Sequence, residues 1–257
     1  MKNRFLFVAM LFASLSLGFV SCDNKGNEPD DPQGEQTEQG GSSENNGGGE
    51  ETPNPETSTP TDPYNGHAYV DLGLPSGLKW ATCNVGATKP EEYGDYFAWG
   101  ETTPKTTYDW STYKWCNGSY DTMTKYCTDS DYGTVDNKTV LDPEDDAASV
   151  NMGGSWRMPT RAEQDELLTE CTWTWTTLNG VNGCNVEGPN GNSIFLPAAG
   201  YRSSSDLSRA GSSGYYWSSS LTTDNSYNAF DLYFNSGDVY WNYDYRDYGQ
   251  SVRGVLP

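Results

Sequence analysis

The stretch Gly214 to Arg253, GYYWSSSLTTDNSYNAFDLYFNSGDVYWNYDYRDYGQSVR, decides how the chain reads. From Ala229 to Phe234 the residues alternate. Phe230, Leu232 and Phe234 fall on one face of a strand, and Asp231 and Tyr233 on the other, as in a half-buried strand. Asn235-Ser236-Gly237 turns the chain. A second alternation puts Val239 and Trp241 on one side and Tyr240 and Asn242 on the other. The outward set is nearly all Tyr, Asn and Asp, and that composition continues through Tyr243, Asp244, Tyr245, Asp247 and Tyr248. Tyrosine gives a large contact area for only two side-chain torsions, and Asn and Asp give adaptable hydrogen bonding, as in antibody paratopes. The expectation is a rigid frame of Phe230, Leu232, Phe234, Val239, Trp241 and Val252, with Trp217 beneath, carrying a contact surface of Asp231, Tyr233, Tyr240, Tyr243, Asp244, Tyr245, Asp247 and Tyr248. The plainer alternative is a solvated edge hairpin.

Residues 1–22 have the form of a lipoprotein signal peptide. Lys2 and Arg4 precede an apolar run from Phe5 to Val20, which is short for a membrane span, and Cys22 ends it. Cys22 resembles the lipid-attachment cysteine of bacterial lipoproteins. Gly18-Phe19-Val20-Ser21 departs from the usual Leu-Ala-Gly pattern, so ordinary signal cleavage stays open. Residues 23–62 carry eleven acids against one lysine, with no aromatic and no large aliphatic residue. Such a segment cannot bury enough apolar surface to fold, and its like charges extend it. It is expected to be a disordered acidic tether, and it resembles the acidic export signals of Bacteroidetes surface lipoproteins.

Residues 63–257 are enough for one domain with a substantial core. Of the formal charge of −21, −13 falls on this part, which repels phosphate backbones and argues against a nucleic-acid partner. Nine tryptophans and eighteen tyrosines compensate for a hydrophobic fraction of only 34%. Many short strands with Gly- and Asn-rich turns predict a β-rich α+β fold. Two short strands flank Pro75-Ser76-Gly77, a loop-rich excursion runs from Thr102 to Asn137, and Ser193 to Pro197 opens a buried strand. Two helices are expected. One starts at Asp142 with Pro143 in its first turn, and one at a Thr160/Glu163 capping box followed by Leu167, Leu168 and Cys171.

Leu72-Gly-Leu-Pro-Ser-Gly-Leu-Lys-Trp80, Tyr93-Gly-Asp-Tyr-Phe-Ala-Trp99, Gly154-Ser-Trp-Arg-Met-Pro159, Leu196-Pro-Ala-Ala-Gly-Tyr-Arg202 and Tyr216-Trp-Ser-Ser219 are together similar to the Fibrobacter succinogenes major paralogous domain family, over essentially all of 66–257. The resemblance implies a C-type-lectin-like fold of the kind seen in formylglycine-generating enzymes, with two helices on small twisted antiparallel sheets. It implies no established activity. The C-terminal layout also looks like the target proteins of diversity-generating retroelements, in which adenine mutation turns an Asn codon into Tyr, Asp or His. Tyr233, Asp238, Tyr240, Asn242, Tyr243, Asp244, Tyr245, Asp247 and Tyr248 have the composition that process leaves.

Catalytic and metal chemistry has little to work with. His67 is the only histidine, so a Ser-His pair has one candidate, and it sits beside the opening strand. Formylglycine-generating enzymes depend on reactive cysteines near the C-terminal core, whereas the last cysteine here is Cys184. Asp129, Asp131 and Gly133 make only part of a calcium loop, and Trp241-Asn-Tyr-Asp244 only part of a sugar-lectin signature. No cofactor or metal is expected. Five cysteines remain after Cys22, with Cys116–Cys127 and Cys171–Cys184 the simplest disulfides and Cys83 a small buried residue. Arg253 is expected to be a buried salt-bridge partner. The combined expectation is a non-enzymatic outer-membrane lipoprotein, exposed at the cell surface, that binds an extracellular protein or glycan. A structural or adhesin subunit and, last, an enzyme are the other classes.

Overall fold

The computed structural model describes residues 63–257, and the expected signal peptide, Cys22 and tether lie outside them. The described chain is mixed α+β and mostly β. Strands β1 (Tyr69–Asp71) and β2 (Lys79–Ala81) open it, and two helices follow, α1 (Ala147–Met152) and α2 (Arg161–Glu170). Then come β3 (Thr172–Leu178), β4 (Val181–Glu187), β5 (Ser193–Pro197), β6 (Tyr201–Ser203), β7 (Asp206–Ser208), β8 (Ser213–Leu221), β9 (Asn228–Asn235), β10 (Val239–Tyr245) and β11 (Val255–Leu256). They form four small antiparallel sheets, in the orders β1-β2-β11, β3-β4-β5, β6-β7 and β10-β9-β8. Val255 pairs with Trp80, so the end of the chain completes the sheet its beginning started.

Local chemistry explains most element boundaries. The β1–β2 turn closes with Gly77 N donating to Leu74 O at 2.9 Å. The Thr160 capping box forms in full, and Glu163 also takes both Nη atoms of Arg157 at 2.7 and 2.6 Å. The first helix begins later than its sequence predicts. Pro143–Asp145 makes a single 3-10 turn, and Asp146 caps α1 by accepting from Ser149 N at 2.9 Å. Asp145 is needed elsewhere, because it is buried against Lys125 Nζ at 2.6 Å and Tyr126 OH at 2.7 Å. The β3–β4 hairpin is absent from the sequence expectations, yet its signal is plain. Asn179-Gly180 lies between alternating segments with φ of 49° and 84°, the geometry of a tight primed turn.

The sheet β10-β9-β8 is packed on one face by α2 and the β3-β4-β5 sheet. Leu167, Tyr216, Leu232, Phe234 and Cys184 share one buried cluster, with Trp173 and Trp175 at its margin. Gly214 is required there, since a Cβ would come within 2.2 Å of the Phe234 ring. A second cluster gathers Phe97, Trp99, Trp156, Trp217 and Val252. A third holds the segment between 102 and 137, which carries no strand. Aromatic polar tips do the work of a ladder in that segment. Tyr108 OH donates to Tyr96 O at 2.6 Å, Tyr113 OH to Trp99 O at 2.7 Å and Trp115 Nε1 to Gly100 O at 2.7 Å.

Two expectations are corrected here. All five described cysteines are free thiols. Cys116 and Cys127 donate to the Trp110 and Asp129 carbonyls instead of bonding to each other. Cys184 lies in the core and Cys171 at the end of α2, where burial pushes their thiols up to about 12 and about 11. Cys83 is half-buried. Arg253 is buried as expected but pairs with no carboxylate. Its guanidinium donates to Asn84 Oδ1, Ala81 O, Thr82 O and Phe195 O at 2.9–3.0 Å. Carbonyl dipoles from two chain segments converge where a carboxylate would have had to be desolvated as well.

Arg253→Met should therefore strand four buried acceptors and cost about 3–5 kcal/mol, seen as a fall of roughly 10 °C in Tm. Arg209→Met, at an exposed side chain without an ion pair, should stay within about 0.5 kcal/mol of the parent. Equal melting of the two variants would contradict this account.

Candidate binding surface

The face of the β10-β9-β8 sheet turned away from α2 is organised in rows. Tyr215 on β8, Tyr233 on β9 and Tyr240 on β10 are directly in register, and their ring centroids are 5.0 and 4.9 Å apart. Cross-strand aromatic neighbours of this kind hold one another in place. Tyr201 of β6 extends the row, 5.0 Å from Tyr215, and Tyr248 stacks on Tyr201 at 5.4 Å and 19°. The next row is Trp217, Asp231 and Asn242. Beyond it Asp244 stands opposite Ala229. Tyrosines 201, 215, 233, 240 and 248, with Arg209, Asn242 and Asp244, line a groove of about 380 Å³.

The residues expected at the surface divide. Tyr233, Tyr240, Asp244 and Tyr248 converge on the groove. Tyr243 lies on the opposite face with Trp241 by strand alternation. Trp241, expected in the frame, is 42% exposed. It packs on Phe230 at 5.6 Å, with the Arg161 guanidinium 4.3 Å above its ring. Tyr245, at the strand end, contacts Tyr248, Tyr227 and Trp110 at 5.5–6.0 Å.

Asp231 and Asp247 are corrections. Asp231 is 0% exposed and Asp247 4% exposed, so neither presents itself as a surface contact. Alternation places Asp231 on the correct side, but the returning segment covers that side. Gln250, itself buried, reaches across it and donates to Asp244 Oδ2 at 2.9 Å. Neither Asp231 oxygen has a hydrogen-bond partner. Burial first, and the neighbouring Asp244 charge second, raise its carboxyl well above the usual range, with the Asn242 and Gln250 amides opposing. Burial also pushes Asp244 up to about 6 and Asp247 up to about 7.

Tyr201, Arg209 and Tyr215 complete the groove and were not anticipated. Tyr215 had a signal, because it precedes Trp217 by two in a strand. Tyr201 and Arg209 had none, being brought in by the β6–β7 hairpin and the turn after it. Among the described residues no group of three or more His, Cys, Asp and Glu could hold a metal. His67 packs edge-on against Trp156 at 6.2 Å. Asp142 and Asp145 serve in ion pairs, as with Asp142 against Lys125 and Lys138, and Asp146 in a cap.

The buried acids set a pH dependence. Asp247 keeps a proton up to about pH 7 when folded and sheds it near pH 4 when unfolded. Folding therefore gains stability as pH falls through that window, by at most about 1.4 kcal/mol per pH unit for each such proton. Asp142, held down to about 2 by Lys125 and Lys138, acts in the opposite sense and loses its contribution below its unfolded pKa. Denaturant unfolding should show stability rising from about pH 8 to about pH 5 and falling below about pH 4. Asp247→Asn should flatten part of the rise without loss near pH 8; an unchanged slope would place the buried proton elsewhere.

A family model described as a domain of unknown function (DUF8237) matches residues 173–255, which takes in the β3-β4-β5 sheet and the whole β10-β9-β8 sheet. No curated protein and no solved structure is matched.

Proposed function

We propose that the chain is a non-enzymatic cell-envelope lipoprotein that binds an extracellular protein or glycan through the Tyr/Asn/Asp-rich face of its C-terminal sheet. In this reading the domain has a C-type-lectin-like fold and belongs with the Fibrobacter succinogenes major paralogous domains. Lipidation at Cys22 anchors it in the outer membrane, and the acidic tether holds it away from the surface. Two helices on small antiparallel sheets and the loop-rich middle segment support the fold assignment. The observation that carries the function is the groove. Five tyrosines, two of them in register with a third across three strands, surround a concavity that also presents an amide, a carboxylate and a guanidinium. Tyr240 remains 47% exposed, and Tyr201, Tyr233 and Tyr248 are half-buried beside the buried Tyr215; tyrosines lining a concavity in this way favour a contact surface.

A diversified surface receptor is the second reading. It is favoured by the position of Tyr240, Asn242 and Asp244 at the groove while Leu232 and Phe234 lie in the core. Asp247, one of the adenine-type positions, is buried and does not fit it.

The domain should be screened on glycan and purified-protein arrays as the parent and as two double variants. Tyr240→Ala with Asn242→Ala should weaken any captured ligand by at least about tenfold, roughly 1.4 kcal/mol. Trp241→Ala with Tyr243→Ala, on the other face, should leave capture intact. Ligands lost only with the second pair would move the site to that face. Ligands that survive both would overturn the reading.

A further inference from the structure

The groove has an electrostatic gap that specifies its ligand more closely, granted that it is the binding surface. Cations of this chain habitually sit on its aromatic rings. Arg161 lies over Trp241, Lys114 and Lys125 over Trp115, Arg202 over Tyr96 and Arg246 over Trp99, at 4.2–5.0 Å. Among the described residues no lysine or arginine is so placed over the groove tyrosines. Neither Asp244 nor the buried, unpartnered Asp231 behind it takes part in an ion pair. Arg209 lines the groove but forms no ion pair with Asp244, and the two charges act in opposite directions on Tyr215.

We propose that the groove takes the ammonium or guanidinium group of a lysine or arginine side chain on a protein partner, walled by the tyrosine rings and met by the Asp244 carboxylate. The rings are inclined to one another by 66° and 38° along the row and 68° at Tyr201. Such a row presents a cage to a cation, which aromatic faces attract, and offers no flat platform for a pyranose. The domain's formal −13 steers a basic partner toward it. The titratable and charged groups around Asp244 are Asp231 and Tyr233 on β9, Tyr215 on β8, Tyr240 on β10, Tyr248 after it, Tyr201 on β6 and Arg209. Of these the carboxyls alone change charge in mild acid. Protonation of Asp244 at about 6 removes the attraction, so cation binding weakens as the pH drops below that point.

The test uses the full chain with ring-labelled tyrosine, titrated by NMR with Nα-acetyl-lysine methylamide, its Nε-acetylated counterpart and glucosamine. The lysine probe is expected to move the groove tyrosines saturably. Acetylation, Asp244→Asn, or a drop from about pH 7.5 to about pH 5 should each weaken it about fivefold or more. Arg209→Gln, which removes a repelling charge from the groove lining, should tighten binding. An equal response to the acetylated probe, no response to lysine, or loss on Arg209→Gln with retention in Asp244→Asn overturns the proposal. Glucosamine binding more tightly than lysine overturns the protein source in favour of an amino sugar. If array ligands still depend on Tyr240 and Asn242 while lysine fails, the surface reading stands and the cation inference alone falls. If tyrosines outside the groove respond in place of those within it, the surface reading falls too.

Discussion

Two buried guanidinium groups hold together a domain whose sheets are too small to do so alone. Arg253 gathers carbonyls from residues 81 and 82 and from Phe195, and so ties the opening sheet to β5. Arg246 does the same for the loop-rich segment, donating to Lys125 O, Tyr126 O and Ser226 O and to the Tyr113 hydroxyl, with Trp99 4.9 Å below. A guanidinium carries five donors in a fixed planar fork. It can therefore satisfy several irregular carbonyls at once, a task that ladders perform in longer strands. Both arginines flank the stretch that returns beneath the tyrosine row, so the same contacts that close the core also fix the surface.

That use of cations has a consequence for the acids. Most of the domain's few arginines and lysines are committed to carbonyls, rings, or the acids at 101, 142, 145, 163 and 165. Asp231, Asp244 and Asp247 are left buried or half-buried without a cation, and burial alone would favour their neutral forms. Burial raises all three carboxyls, yet Asp244, pushed up to about 6, still carries its charge at neutral pH. The groove thus inherits an unbalanced floor from the way the frame was built, which links its selectivity to the packing beneath it.

Much of this was legible in the chain. The capping box at Thr160, the turn at Ser76-Gly77, the strand at Ser193 and the pairing of Ala229–Phe234 with Val239–Asn242 each follow from local pattern. Asn179-Gly180 announces a hairpin just as clearly. The fate of Asp231 was not legible, because period-two alternation assigns a side chain to a face and is silent on what covers that face. Here the cover is Gln250, nineteen positions later. Tyr201 and Arg209 reach the groove only through tertiary placement. The cysteines fail for a related reason, since spacing along the chain says nothing about side-chain direction.

The division between frame and surface runs along single strands. On β10, positions 240, 242 and 244 face the groove, and their strand is held to β9 by backbone hydrogen bonds that any residue but proline supplies. On β9, the neighbouring Asp231 contributes to the same rows but is enclosed by Trp217, Asn242 and Gln250. A new side chain at 240 therefore alters what the groove meets, while one at 231 alters what the sheet can enclose. An edge strand such as β10, paired on one side only, is the one place in this sheet where contact chemistry can change without repacking the core. The Tyr, Asn and Asp that give the C-terminal stretch its composition are concentrated there.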